Sequence, residues 1–446
     1  MRPVKVAAMI VTAVMVAIAA VSSADPPTLF ERQEALPFTL QAPLDELFRA
    51  REDGKVKGVL TVGDNQFDDV TVAARGHTSI MPGECSFPKL KVTLGHTTDA
   101  GPLAGIRTIK IGTHCGDAPG DELGTRYGRL KNDRSPIREA FVYRLLDLMR
   151  VPTFKARPAR ASYVFGPVRP PLVRAAMLLE DEDEAKRRLD VAEEIQPDAF
   201  TDADSAFTRD DLARLLFGEA MIGNFDWCLR MNQGDPYRCD DHKGLWNVLA
   251  LRRADGTVVP LIYDFDLAGM VTGRHTWFPK IFNADFVASS SAAEVEVLSQ
   301  LQRARSLLSR AELDAARRHF LERKMAALEA LRDSGVDPDG AGAIRRYLDA
   351  FFNAIERDDA FYLPVVKVDG TRAYLDAAGA QPACGERSAV PVGTPVSPPL
   401  STQGDMIQVR LLDVHWHWTE KNACAAVHDG GVWIDARSID RRFPTR

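Results

Sequence analysis

Gly223-Asn224-Phe225-Asp226-Trp227, Trp246-Asn247-Val248 and Ile262-Tyr263-Asp264-Phe265-Asp266 are the segments on which the reading of this chain turns. Each sets a carboxylate or carboxamide among aromatic and aliphatic residues, where the pattern predicts a strand or turn edge. Burying Asp or Asn beside Phe, Trp and Ile is unfavourable unless a hydrogen-bond network or a bound cation compensates. Three such segments in succession point to a metal-nucleotide site.

The pattern on either side gives these segments their setting. Upstream, Asp210 to Ile222 is helical, with Leu212, Leu215, Leu216, Ala220 and Met221 on an apolar face. Between the second and third segments, Leu245 to Leu251 and Val258 to Tyr263 read as a hairpin through Arg253-Ala254-Asp255-Gly256. Beyond them, Ser290 to Arg332 and Ala343 to Glu356 read as helices packed on one another.

Nearer the N-terminus the prediction is mainly β. Gly58 to Val62, a turn at Gly63-Asp64-Asn65-Gln66, and Phe67 to Ala74 form a strand pair. Leu90 to Leu94 and Ile106 to Ile111 add two more strands, and Asp25 to Arg51 reads as a lead-in segment with an amphipathic piece at Leu44 to Phe48. Ser135-Pro136 is a helix start, with Pro at the first helical position. That helix carries Phe141, Leu145 and Met149 on one face, with Glu139 and Tyr143 beside it. Ala159 to Phe165 and Val173 to Leu179 are two further strands; the second runs into Glu180-Asp181-Glu182-Asp183-Glu184, as a hinge between two lobes would.

With 446 residues, 45% of them hydrophobic and 26% charged, the chain can bury a large core in two or three units. A net charge of -6 and the lack of a Lys/Arg block argue against a nucleic-acid partner. Arg2 and Lys5, the apolar run Val6 to Val21 and Ser22-Ser23-Ala24 have the form of a secretory signal. An uncleaved anchor is the other reading of that run, and no second run is long enough to span a bilayer. Export, to a periplasmic or extracellular space, gives the 6 cysteines a meaning. None lies in a C-x-x-C pair, and an even count in an exported chain favours disulfides over zinc. By neighbourhood the pairs would be Cys85 with Cys115, Cys228 with Cys239 and Cys384 with Cys424; the other reading leaves one or more of them free and buried.

Pro391 to Pro399 reads as a linker. After it, Val409 to Val414, His415-Trp416-His417-Trp418, Ala425 to Val427 and Gly430-Gly431-Val432-Trp433-Ile434 read as short strands. This end resembles a small bacterial SH3-like barrel. His415 and His417 share a strand face, but without a third ligand they read as surface or packing residues.

The whole order, from β-rich segment through helix, two strands, acidic hinge, helix, Asp loop and Asn- and Asp-bearing hairpin to helical remainder, resembles the protein-kinase-like fold. Specifically, it resembles the divergent secreted relatives typified by the CotH-like spore-coat kinases. The resemblance spans Lys55 to Glu356 and is carried by Asn224-Phe225-Asp226, Asn247 and Tyr263-Asp264-Phe265-Asp266. It implies an α+β, bilobal protein-kinase-like fold: a β-rich N-lobe (25–180, lead-in included), a mainly helical C-lobe (181–380) and a small C-terminal β-barrel (381–446), after a signal peptide at 1–24. It also implies roles. Asp226 would accept or orient the acceptor hydroxyl, Asn247 and Asp264 would hold Mg²⁺ or Mn²⁺, and Asp266 would be a further ligand or support one. A strand lysine that contacts ATP phosphates and pairs with a helix glutamate would be Lys110 with Glu139, with Lys91 as the competing lysine.

The chain departs from that family's pattern in lacking a G-x-G-x-x-G loop near Gly58 or Gly63 and a His-Arg-Asp triplet, and Asp266 stands where Asp-Phe-Gly has Gly. Asp226 and Asn247 are also farther apart than in ordinary protein kinases, an excess that an insertion closed by Cys228 and Cys239 would absorb. Two functions are compatible with these residues. One is exported, metal-dependent phosphoryl transfer from ATP or another nucleotide to a protein or small-molecule hydroxyl. The other is a non-catalytic pseudokinase-type binding or scaffold protein whose C-terminal β domain contacts the cell envelope or a partner.

Overall fold

The computed structural model describes residues 29–51, 54–77, 79–81, 85–99, 101–116, 133–167, 169–196, 207–229, 244–273, 290–383, 389–390, 394–411 and 431–440. The expected signal segment, Cys239, Cys384, Cys424 and the His415–His417 pair lie outside them. Among the described residues no helix is long and apolar enough to cross a membrane.

The fold is α+β. Its first unit is a closed seven-stranded barrel of β1 (Leu36–Gln41), β2 (Lys55–Val62), β3 (Asn65–Arg75), β4 (Lys89–Leu94), β5 (Thr108–Gly112), β6 (Ala156–Val164) and β7 (Leu172–Glu180), in the order β1-β2-β3-β4-β5-β7-β6. Six of these strands follow the sequence pattern. The seventh corrects it: the stretch expected to be a lead-in contains β1, antiparallel to β2 and parallel to β6. Leu36, Phe38 and Leu40 alternate inward from β1 and complete the barrel core with Leu60, Val72, Val92 and Ile109. Closure leaves no sheet edge open to another chain. α1 (Leu44–Ala50) adds the buried Leu44 and Leu47 to the barrel's apolar cluster, and a Cys85–Cys115 disulfide ties the approach to β4 to the exit of β5.

The period-2 alternation of β4 decides which of its lysines face away from the barrel core. Leu90, Val92 and Leu94 point into the barrel, so Lys89 and Lys91 share the opposite face. Lys91 stands across from Lys110 on β5, whose Ile109 and Ile111 point inward.

α2 (Ser135–Leu148) begins with Pro at the first turn and packs on β6 and β7. At the end of β7, Asp181 caps α3 (Glu182–Arg188) by accepting from the backbone N–H of Asp183. The second unit has α4 (Arg209–Ile222), capped by Thr208 and closed by Gly223 in the left-handed region at φ 64. β8 (Val191–Ile195), β11 (Val248–Arg253) and β12 (Val258–Ile262) form a sheet beneath it, and β9 (Cys228–Leu229) pairs with β10 (Leu245–Trp246). Next come α5 (Gly269–Thr272), α6 (Ser290–Leu307), α7 (Arg310–Leu321), α8 (Lys324–Arg332), α9 (Pro338–Glu356) and α10 (Asp358–Phe361). Phe217, Phe320, Phe351 and Phe361 interlock with ring centroids 5.4–6.3 Å apart at the centre of this body. Burying each contributes roughly 1.5–3 kcal/mol.

Arg138 on α2 links the two units. It makes a bidentate pair with Asp337 (2.8 and 2.7 Å), the N-cap of α9, and donates to Val271 O on α5. The C-terminal residues form β13 (Val365–Val366) paired with β17 (Ile439–Asp440), and a sheet of β14 (Ser401–Gln403), β15 (Met406–Val409) and β16 (Val432–Asp435). Their apolar cluster reaches back to Val366 and Ala373, upstream of the expected boundary at 381.

Candidate functional site

All seven residues singled out from the sequence, Asp226, Asn247, Asp264, Asp266, Glu139, Lys91 and Lys110, line one cleft of about 490 Å³ between the barrel and the helical body. They arrive from separate parts of the chain: β4, β5, α2, the loop after α4, the β10–β11 junction and, for two of them, the segment after β12. Cys228, just past Asp226, is disulfide-bonded.

The loop after α4 is built by its own hydrogen bonds. Gly223 turns the chain out of the helix, and Asn224 Oδ1 accepts from the backbone N–H of Asp226 at 3.1 Å. Asn224 O accepts from both Trp227 Nε1 (3.0 Å) and Gln300 Nε2 (2.8 Å). The Asp226 carboxylate is then held from the facing strand: Trp246 Nε1 donates to Oδ1 at 3.1 Å and Asn247 Nδ2 to Oδ2 at 3.2 Å. Because the Asn247 amide nitrogen also donates to Asp226 O, at 2.5 Å, its amide plane is fixed.

Asn247 and Asp264 have φ values of 53 and 65, in the left-handed region that non-glycine residues seldom enter. Backbone of that kind costs about 1–3 kcal/mol per residue and persists where the surroundings impose it. At Asp264 the constraint is visible: its backbone N–H donates to Tyr143 Oη at 3.0 Å, while Phe265 is fully buried with its ring 4.7 Å from that of Tyr143.

The lysine at the centre of the cluster is one the sequence reading did not select. Lys89 Nζ is ion-paired with Asp264 Oδ1 and, at 3.0 Å, with Asp266 Oδ2, and its side chain is only 12% exposed. Burial alone would lower its pKa, but Asp264, Asp266 and Glu139 together hold it well above the usual lysine value. Lys110 and Lys91, the expected partners of Glu139, are engaged elsewhere. Lys110 pairs with Glu182 and lies 4.7 Å from the centre of the Phe154 ring, and Lys91 pairs with Asp181 at 3.0 Å. Period-2 alternation was the available signal for Lys89, since it places Lys89 and Lys91 on the same face.

The chain matches no protein-family model and no curated protein.

Glu139 is buried, and desolvation, opposed by Lys89 and reinforced by Asp266 and Asp264, pushes its carboxyl up to about 7. A carboxyl whose folded-state pKa is raised from 4.5 to about 7 stabilises the fold fully below pH 4.5, and that contribution is lost as pH rises through 7. Glu139→Gln is therefore expected to flatten the stability profile between these values. At pH 8 it should raise stability by something on the order of 1–3 kcal/mol. Urea denaturation of the two proteins across that range checks both.

Asp226, Asn247, Asp264 and Asp266 supply hard oxygen donors of the kind Mg²⁺ and Mn²⁺ take. Among the described residues no group of three His, Cys, Asp or Glu side chains could hold a metal ion.

Proposed function

We propose that this chain is an exported, protein-kinase-like phosphotransferase, a divergent relative of the CotH-like type, with the barrel as its N-lobe and the helical body as its C-lobe. The observation that supports it is the convergence of Asp226, Asn247, Asp264 and Asp266 with Lys89 and Glu139 in one cleft. Phosphoryl transfer asks little covalent chemistry of a protein and is accelerated by positioning and by charge neutralisation. Lys89 replaces Lys110 and Lys91 as the phosphate-contacting lysine, and Glu139 lies within its electrostatic reach. Asn247 and Asp264 would hold the metal ion, with Asp266 beside them; such an ion would supply positive charge to offset that of the phosphates. Asp226, held by Trp246 and Asn247, orients the acceptor hydroxyl and takes its proton. The Cys85–Cys115 disulfide accords with an oxidising compartment and hence with export.

A second reading is favoured by one feature: Asp226 is hydrogen-bonded by Trp246 and Asn247, and Lys89 already neutralises Asp264 and Asp266. A cluster so satisfied without ligand suits a scaffold whose C-terminal β unit, SH3-like, contacts envelope or partner. Transfer of labelled γ-phosphate from a nucleotide with Mn²⁺ to the protein itself or to added hydroxyl acceptors separates the two. Transfer that falls about 100-fold or more in Asp226→Asn is expected for the enzyme. Transfer unaffected by the substitution, or none at all, supports the scaffold.

A further inference from the structure

The two ends of the cleft differ in chemistry. At one end lie Lys89 and the oxygen donors. At the other, at the junction of β7 and α3, Lys91 is neutralised by Asp181 and Lys110 by Glu182. In a nucleotide-binding cleft the phosphates belong at the Lys89 end, where Asn247, Asp264 and Asp266 offer the oxygen donors for a metal ion that phosphates would share. The opposite end then faces the base. Lys89 and Lys91 lie two residues apart on one strand, so the ends are separated by about 7 Å along β4. The walls at the base end are flat and apolar: Phe154 and Tyr263, with ring centroids 5.8 Å apart, lie there with Leu179 and Leu249.

What edges this slot is a fixed pattern of one acceptor and one donor. The Glu182 side chain is 39% exposed and lines the cleft, while the Lys110 side chain is 6% exposed, its ammonium anchored over Phe154. An ionised carboxylate only accepts hydrogen bonds and an ammonium only donates them. Guanine presents N1–H and N2–H donors next to the O6 acceptor, which complements this pair. Adenine presents its N1 acceptor to the carboxylate and its N6 donor to the ammonium, the opposite match. We propose that the cleft selects a guanine nucleotide, with Glu182 accepting from N1–H and N2–H and Lys110 donating to O6. The proposal rests on the nucleotide reading and adds the identity of the base to it.

Calorimetric titration of the disulfide-intact protein with non-hydrolysable GTP and ATP analogues, each with Mn²⁺, tests it. The guanine analogue is expected to bind about tenfold or more tightly than the adenine one, the range that a good bidentate base contact confers. Glu182→Gln replaces two acceptors by one acceptor and one donor, a pattern that suits the adenine edge. The preference should collapse or invert in that variant, and its unfolding curve without ligand checks that it is folded. Equal binding of the two analogues, tighter binding of the adenine analogue, or a guanine preference that survives in folded Glu182→Gln overturns the base assignment and leaves the nucleotide site standing. Failure of both analogues to bind overturns the base assignment and the nucleotide reading together.

Discussion

Lys89→Met is expected to destabilise the folded chain by about 3–5 kcal/mol at neutral pH, the cost of breaking a buried ion pair by removing one partner. The methionine fills most of the lysine's volume, so the loss is electrostatic. Asp264 and Asp266 lose their ion-pair partner, and Glu139 loses the charge that opposes its desolvation. These losses set the sign of the pH dependence. In the variant the Glu139 carboxyl, already up at about 7, is pushed up further, so the stability its ionised form denies the fold at neutral pH returns as pH falls and it takes up a proton. Urea denaturation at pH 7 and at pH 5 should show the gap between variant and wild type narrowing at the lower pH. A loss below about 0.5 kcal/mol at pH 7, as for an ordinary surface lysine, would remove Lys89 from the centre of the site.

Gly269→Ala should be comparably damaging for a steric reason. Tyr347, in the middle of α9, lies against two glycines at once. Gly269 N–H donates to Gly223 O at 3.0 Å, and the Tyr347 hydroxyl donates to Glu296 Oε2, with both side chains buried. A Cβ on Gly269 would fall within contact distance of Tyr347 Oη and Cζ and 2.8 Å from Cε2, and one on Gly223 would fall 2.9 Å from Cδ1 and Cζ. Relief requires moving the ring, which breaks its bond to Glu296, or moving the loops that carry Asp226 and Asp264. Overpacking costs about 1–3 kcal/mol and a lost hydrogen bond about 0.5–1.5, so a total of about 2–4 kcal/mol is expected. If the ring is the obstacle, Gly269→Ala with Tyr347→Ala should lose clearly less than the sum of the single substitutions. Additive losses would place the strain elsewhere.

Much of this architecture was legible in the sequence. The strand pair around Gly63, the helix start at Ser135-Pro136 and the helix before Gly223 each carry a local signal of alternation, cap or turn, and each forms where that signal lies. The polar residues at the ends of apolar segments gave the cleft, because the cost of burying Asp226, Asn247 or Asp264 is a local fact. Non-local relations stayed hidden. β1 alternates Leu36, Phe38 and Leu40, yet its Pro37 and short length weaken it as a strand, and its parallel partner β6 lies far downstream. Lys89, Lys91 and Lys110 all sit on strands facing the cleft, and which of them reaches Asp264 depends on how β4 and β5 lie over the segment after β12. Tyr347 reads as one more apolar-face residue of a helix. Only the packing of that helix on Gly223 and Gly269 gives it a role in holding both loops.

The central claim, a metal-nucleotide site at Lys89, Asn247 and Asp264, is tested most directly by thermal unfolding of the disulfide-intact protein. The protein is melted alone, with nucleotide, with Mn²⁺ or Mg²⁺, and with both, beside Asp264→Asn, since asparagine tolerates the left-handed backbone at that position. A ligand that binds only the folded state stabilises it by about 2.7 kcal/mol at 100 times its Kd. Such a site predicts a rise in melting temperature that needs metal and nucleotide together and is lost in Asp264→Asn relative to that variant's own unliganded curve. No rise with saturating ligand, or the same rise in Asp264→Asn, would contradict it.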